Sequence, residues 1–326
     1  MVSVRRGSRA AFAIPSTRRC WCCRAPRHTA RRERRPIMSS AAAQTAVGPM
    51  TIVAIDQSEQ HPLVRDELAR RMLPAGVRPV VALTRWRPAR RWMMSATDKH
   101  MPGLWASMLC RKRYVEDKLT ESAEEGLDAV VILGAGFDTC GYRLPSLAGT
   151  PVFEVDQPEN VERKRARLRA LFGRVPEPVR LVPVDFETQA LPEVLTEHGY
   201  GVGQHRTFFV CEAVTQYLTE DAVDATFRFL GAAPSGSRIV FTYIRKDFLD
   251  GTAMYGAEAA YREYVLRRGM WTYGMHPHEV PAFLDEYGWE QVEQVGPAEF
   301  AARYIAPAGR ALAASEVERS VFAVKR

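Results

Sequence analysis

Five short β-rich runs, at residues 129–133, 152–155, 179–184, 207–211 and 238–243, alternate with stretches of helical character. This rhythm constrains the fold of the chain more than any other feature. Strands that alternate with helices return beside one another through right-handed crossovers, so the runs imply a parallel sheet covered on both faces. Pro158 stands where a helix opens and Gly173 just past its end, and a second helix is expected over about 220–230, before Gly231. The chain closes with a helix near 280–287 and strands near 290–295 and 320–325. The last two strands lack a helical crossover between them, so a hairpin should place one antiparallel strand at the sheet edge. The expectation is a doubly wound, seven-stranded, mostly parallel α/β sheet with an antiparallel last strand.

Helical patterns at 63–71, about 89–95 and 104–122 precede the first strand. They suggest an N-terminal helical cap over 50–125 on a folded domain spanning 50–326. Residues 245–275 interrupt the alternation and are rich in Tyr, Arg and Gly; with the residues up to 278 they are read as a lid insertion.

The formal charge of +7 is unevenly placed. Residues 1–49 hold eleven Arg and one acid, Glu33, a local +10 that leaves −3 for the remainder. The domain itself therefore carries no basic nucleic-acid footprint. The N-terminal segment has three readings: an Arg-rich organelle transit peptide, a disordered basic tail, or an over-extended start ahead of Met38 or Met50. No apolar run approaches the roughly 18 to 20 residues of a membrane span, so no membrane partner is expected. Cys20, Cys22, Cys23, Cys110, Cys140 and Cys211 show neither a disulfide framework nor a zinc spacing. No metal is expected, and a reducing, cytoplasmic setting fits, or an organelle if the segment directs import.

The sharpest chemical signal is Val130-Val131-Ile132-Leu133-Gly134-Ala135-Gly136-Phe137-Asp138. An apolar strand runs into Gly-x-Gly, which lets backbone approach a ligand with no Cβ in the way. Alone, this is also the signature of a tight strand-to-helix turn. The second run ends in Asp156, whose carboxylate can accept both hydroxyls of an adenosine ribose or cap the next helix. The third ends in Asp185-Phe186, a carboxylate for an adenine amino group beside a ring for its face. The fourth ends in Glu212. Ligands of such sheets bind outside the carboxyl ends of the strands, and an anionic crevice suits a cationic sulfonium better than a pyrophosphate.

Leu133 through Thr139, then Tyr142-Arg143-Leu144, then Phe153-Glu154-Val155-Asp156-Gln157-Pro158 with Lys164 resemble the leucine carboxyl methyltransferase-like family of S-adenosyl-L-methionine-dependent methyltransferases. The bacterial branch, with the tetracenomycin-type polyketide carboxyl methyltransferases, is the most similar, and Arg111 through Leu119 resembles its segment before the first strand. The resemblance covers about residues 60–326. It implies a class I, Rossmann-like methyltransferase domain with S-adenosyl-L-methionine as cofactor. It places Gly134, with Gly136 and Asp138 in the same turn, along the methionine part, and Asp156 on the ribose. Asp185 and Phe186 would flank the adenine, Glu212 would sit near the amino group, and Arg111 would bind the carboxylate. Arg111 read by itself is equally a member of a solvated basic face with Lys112 and Arg113. Two departures stand out: Cys140-Gly141 replaces the usual Arg-Ala, and no basic residue occurs at 50–53, where a second carboxylate clamp is expected.

The implied reaction is O-methylation of a carboxylate on a small hydrophobic or polyketide-like acid, with no nucleic-acid partner. A carboxylate needs no general base, whereas a hydroxyl acceptor would, and His276 and His278 are the clustered candidates. Catalytic residues are otherwise unassigned. Tyr217, Tyr243, Tyr255, Tyr261, Trp271 and Tyr273 are candidate walls for the acceptor, or core, and Arg245 is one candidate partner for its carboxylate. An NAD(P)-dependent oxidoreductase would share Gly-x-Gly and Asp156, yet no third Gly follows and no proton-transfer group stands out.

Overall fold

The computed structural model describes residues 47–186 and 188–326. Helices α1 (Val47–Asp56), α2 (Arg78–Leu83), α3 (Arg87–Asp98) and α4 (Leu104–Glu124) come first, with a single helical turn at Ala69–Met72 between α1 and α2. The alternation then begins with β1 (Ala129–Leu133), β2 (Val152–Asp156), α5 (Pro158–Phe172), β3 (Val179–Pro183), β4 (Thr207–Cys211), α6 (Glu220–Gly231) and β5 (Arg238–Arg245). A two-residue β6 (Gly274–Met275), α7 (Val280–Glu286), β7 (Trp289–Val295) and β8 (Glu318–Lys325) follow, and shorter helical segments fill the connections.

The strands form one sheet in the order β3-β2-β1-β4-β5-β8-β7, with β6 paired to β5 off this path. β1 to β5 are mutually parallel, so their carboxyl ends lie on one edge. The C-terminal hairpin occupies the far side as expected, with β8 antiparallel to both β5 and β7 and β7 outermost. Both faces are buried: Val130, Ile132, Phe208 and Val210 pack under the N-terminal helices, and Val131, Leu133, Phe209 and Cys211 pack on the opposite side. Strands apolar at every position are what a sheet covered twice requires.

The N-terminal region departs from the sequence reading in three ways. The expected boundary at residue 49 falls inside α1, which starts at Val47; residues 1–46, with the rest of the basic segment, lie outside the described residues. Gly48 and Pro49 hide this helix from a propensity argument. The helix expected over 63–71 is reduced to Ala69–Met72, because Asp66 Oδ1 accepts from the Leu68 and Ala69 N–H groups at 2.9 Å and caps the turn there. The region also contains α2, which no periodicity announced.

The expected lid stretch holds short helices and β6 around a small core of its own, with Phe248, Met270 and Trp271 at its centre.

Candidate functional site

β1 delivers the Gly-x-Gly turn to the carboxyl edge of the sheet. Gly134 has φ +66° and Gly136 +45°, backbone that a side-chain-bearing residue adopts at a cost. A Cβ on Gly134 would also collide with Cγ2 of Val214, from the loop after β4. The turns after the two neighbouring strands thus interlock.

Asp156, at the tip of β2, ties this turn to the next helix. Its Oδ2 accepts from the Gly136 N–H at 2.5 Å, while Oδ1 accepts from the Gln157 N–H at 2.7 Å and Asn160 Nδ2 at 2.8 Å. Asp156 does not cap the helix, whose N-cap is Gln157 with no side-chain cap bond; its carboxylate instead joins the Gly136 turn to the Asn160 side chain while lining the crevice. After β3, the Asp185 N–H donates to Gln189 Oε1 at 2.9 Å, and Asp185 and Phe186 face the same crevice.

α4 crosses this edge and supplies the cations. Arg111 Nε donates to Glu212 Oε1 at 2.8 Å and Nη1 to Glu318 Oε2 at 2.5 Å. Lys112 pairs with Asp138 and stands 3.9 Å from Glu212 Oε2. Arg111 and Lys112 are buried and only Arg113 reaches solvent, so the basic run is not a solvated face. Burial pushes the Glu212 carboxyl up, but Lys112 and Arg111 outweigh it and hold the group below the usual glutamate range. Burial likewise disfavours charge on Arg111, and Glu318 and Glu212 override it, raising its pKa. These charges persist in a buried site because they face one another.

After Glu212 the backbone is strained, with Ala213 at φ +56°. Its N–H donates to Thr242 Oγ1 at 2.8 Å, which anchors the turn to β5.

Arg111, Gly134, Gly136, Asp138, Asp156, Asp185, Phe186 and Glu212 all line one cavity of about 600 Å³. Its other half is apolar: Met50, Ile52 and Val53 from α1, Met101 beside α4, and Met270 with Trp271 from the lid stretch. Trp271 stacks on Tyr264, centroids 4.8 Å apart and planes 14° apart. Arg268 also lines this cavity, its Nε donating to Glu263 at 2.5 Å.

Sequence reasoning missed Lys112, Glu318, Met270 and Tyr264. Position beside Arg111 was a signal for Lys112; nothing local marks the others. Of six candidate aromatics, Tyr217 and Trp271 line the cavity. Tyr243 is core, hydrogen-bonded to Gln294, and the Tyr255 hydroxyl donates to Asp247 at 2.6 Å. Tyr261 packs edge-on against Phe248, and Tyr273 packs against the core on the sheet's other face. Arg245 is paired with Asp247 at 2.7 Å, away from the lining. His276 and His278 stack on each other before α7, also away from the cavity. The missing clamp at 50–53 is replaced by apolar wall. Where Cys140-Gly141 departs from the family, Asp138 Oδ1 accepts from the Cys140 N–H at 2.7 Å, so the helix still starts. Among the described residues no group of three or more His, Cys, Asp or Glu is placed to hold a metal ion, and no helix is long and apolar enough to cross a membrane.

Residues 46–231 match the pattern of the leucine carboxyl methyltransferase family. A Mycobacterium tuberculosis protein, described as an inferred S-adenosyl-L-methionine-dependent methyltransferase, is 31% identical over 284 residues, covering 79% of this chain and 86% of its own. Among solved structures, a DUF574-family protein of Streptomyces avermitilis superposes with a TM-score of 0.53 at 19% identity, over 73% of this chain and 91% of its own. An inferred methyltransferase of Thermobifida fusca does so with 0.52 at 18%, over 73% and 88%. At those identities the superpositions speak to the fold, which they share. The family match and the mycobacterial relative go further: the chain belongs to the leucine carboxyl methyltransferase family of S-adenosyl-L-methionine-dependent methyltransferases.

Proposed function

We propose that the charged half of the cavity holds S-adenosyl-L-methionine and the apolar half a hydrophobic acid, whose carboxylate is methylated. The observation that carries this reading is the division of one cavity into a carboxylate-rich half and an apolar half, with no histidine in its lining among the described residues.

The residues present fit the cofactor. Asn160 Oδ1, Gln216 Oε1 and Glu318 Oε1 line the cavity, buried and without a hydrogen-bond partner among the described residues. Buried acceptors without donors are costly unless a ligand supplies them, and the cofactor is rich in amino and hydroxyl donors. Asp156 would hold the ribose, Asp185 and Phe186 the adenine, Gly134 and Gly136 the methionine stem, Glu212 its amino group and Arg111 its carboxylate, with Asp138 holding Lys112 behind them. When bound, the cofactor supplies an electrophilic methyl on a sulfonium.

The chain's own part is to position and to keep water out. Met50, Met101, Met270 and Trp271 form a wall that excludes water and accepts apolar bodies of varied shape, methionine being the most adaptable of apolar side chains. Arg268, the cation on the lid side, would orient the acceptor's carboxylate. An acid ionises at a pKa of about 4 to 5, so near neutral pH it presents its oxygen with no base. The test is product chemistry: with radiolabelled cofactor and a panel of hydrophobic acids, the label should enter a product that mild alkali releases as methanol. A label that survives alkali would favour a hydroxyl acceptor and end the ester reading.

A further inference from the structure

The outer face of α2 and α3 has a composition that neither the core nor the cavity explains. Between Glu67 and Asp98 the chain holds seven arginines and no acidic residue, in a domain that otherwise carries excess negative charge. Arg90 turns inward, donating to Glu59 Oε1 at 2.6 Å and to the Thr84 carbonyl at 2.8 Å. Arg85, Arg87 and Arg91 are exposed. Among them Val80, Leu83, Trp86 and Trp92 are 45, 60, 65 and 73% exposed. On α3, Arg87, Arg91, Trp92 and Ser95 share the outward face, while Met93 and Met94 pack toward the core. Indoles and aliphatics ringed by guanidinium groups are the pattern of an element lying in a headgroup layer.

We infer that this face docks the protein on an anionic lipid bilayer. The charge selects the occupant. Residues 1–49 carry a further +10 and would be repelled from the face. A second copy meeting it across a two-fold axis would set the same arginines against themselves. A nucleic acid would engage the arginines but has no use for Leu83 and Val80. A bilayer satisfies both sets: lipid phosphates pair with the guanidinium groups, and the apolar side chains enter the acyl boundary. Such peripheral contact needs no spanning helix, so the absence of a span-length run does not bear on it. The inference does not depend on the methyl acceptor.

The experiment is vesicle co-sedimentation of the full chain. Vesicles of phosphatidylcholine alone are compared with vesicles containing about one-third phosphatidylglycerol, with tryptophan quenching by brominated acyl chains as a second readout. The protein should sediment with the anionic vesicles, lose binding in high salt, and show quenching. Trp86→Ala/Trp92→Ala should abolish quenching and weaken partitioning about tenfold, and Arg87→Glu/Arg91→Glu about a hundredfold, on the scale of juxtamembrane charges. All four residues are exposed, so the melting temperature should not move and checks folding. Vesicle binding that both double variants retain would assign it to residues 1–49 and overturn the inference. So would failure to bind vesicles with tight binding to duplex DNA, which would identify the face as a nucleic-acid surface.

Discussion

The two halves of the cavity are built on opposite principles. The carboxylates of the charged half come mostly from the tips of neighbouring parallel strands, each delivering one or two polar residues through a short turn, with Glu318 of β8 and the cations of α4 set against them. The apolar half is gathered from α1, the segment before α4 and the lid stretch, distant in sequence and contributing side chains that any core would accept. A turn at a strand tip demands particular chemistry and tolerates little else, whereas an apolar wall demands only volume. The first half should be brittle to substitution and the second forgiving, and a graded set of variants can break or sharpen that contrast.

The largest effect should come from Gly134→Ala. It adds an unfavourable left-handed residue to a steric conflict with Val214, each worth about 1–3 kcal/mol, so S-adenosylhomocysteine should bind about a hundredfold more weakly by calorimetry. Adding Val214→Ala should recover part of the loss; no recovery would mean the strain alone matters.

Asp156→Ala comes next. Losing charge-assisted hydrogen bonds should weaken the same ligand by about 1.5–3 kcal/mol, and unchanged affinity in a folded variant would remove Asp156 from the site.

In the apolar half, Arg268→Ala should raise the KM for the acid about tenfold, the worth of one exposed charge-assisted contact, while leaving cofactor affinity and kcat alone. A fall in kcat with no change in KM would place Arg268 elsewhere in the reaction.

Glu293 of β7, outside the cavity, ties α4 to the segment between β7 and β8: it is bound to Lys118 of α4 at 3.0 Å and to Arg303 at 2.6 Å. Partial burial raises its carboxyl, but Arg303 and Lys118 prevail and lower it to about 2. A depressed carboxyl contributes stability above its unfolded pKa of 4.5 and loses it as pH falls toward about 2. After discounting for solvent screening, Glu293→Gln should cost about 1 kcal/mol at pH 7 in urea titrations. The gap should narrow through pH 4 and 3; a pH-independent gap would mean packing, not charge.

The smallest effect should be at His276 and His278. Alanine at either should keep the methylation rate within about twofold, whereas losing a general base costs about a hundredfold or more.

The same contrast explains what could be read without coordinates. Strand tips announce themselves, because Gly134, Asp156, Asp185 and Glu212 each follow an apolar run, and all four line the cavity. Gly173, just past α5, adopts the left-handed backbone its position implied. Met50, Met101 and Met270 announce nothing: no spacing joins them until the fold does. α1 escaped for a related reason, being buried over most of its length and so without an amphipathic period. Trp86 and Trp92 could be read as core from sequence, and only their exposure sets them apart.

Glu318 has a consequence for the order of events during synthesis. Arg111 is translated early and its two carboxylate partners late, Glu212 about a hundred residues on and Glu318 another hundred beyond. A ribosome-bound chain halted after β5 would already possess the tips of all five parallel strands, β1 to β5. It would still leave Arg111 with half its counter-charge, in a site that must be dry. Competence to hold a ligand therefore arrives with the final strand, and chains released early should be invisible to the cofactor.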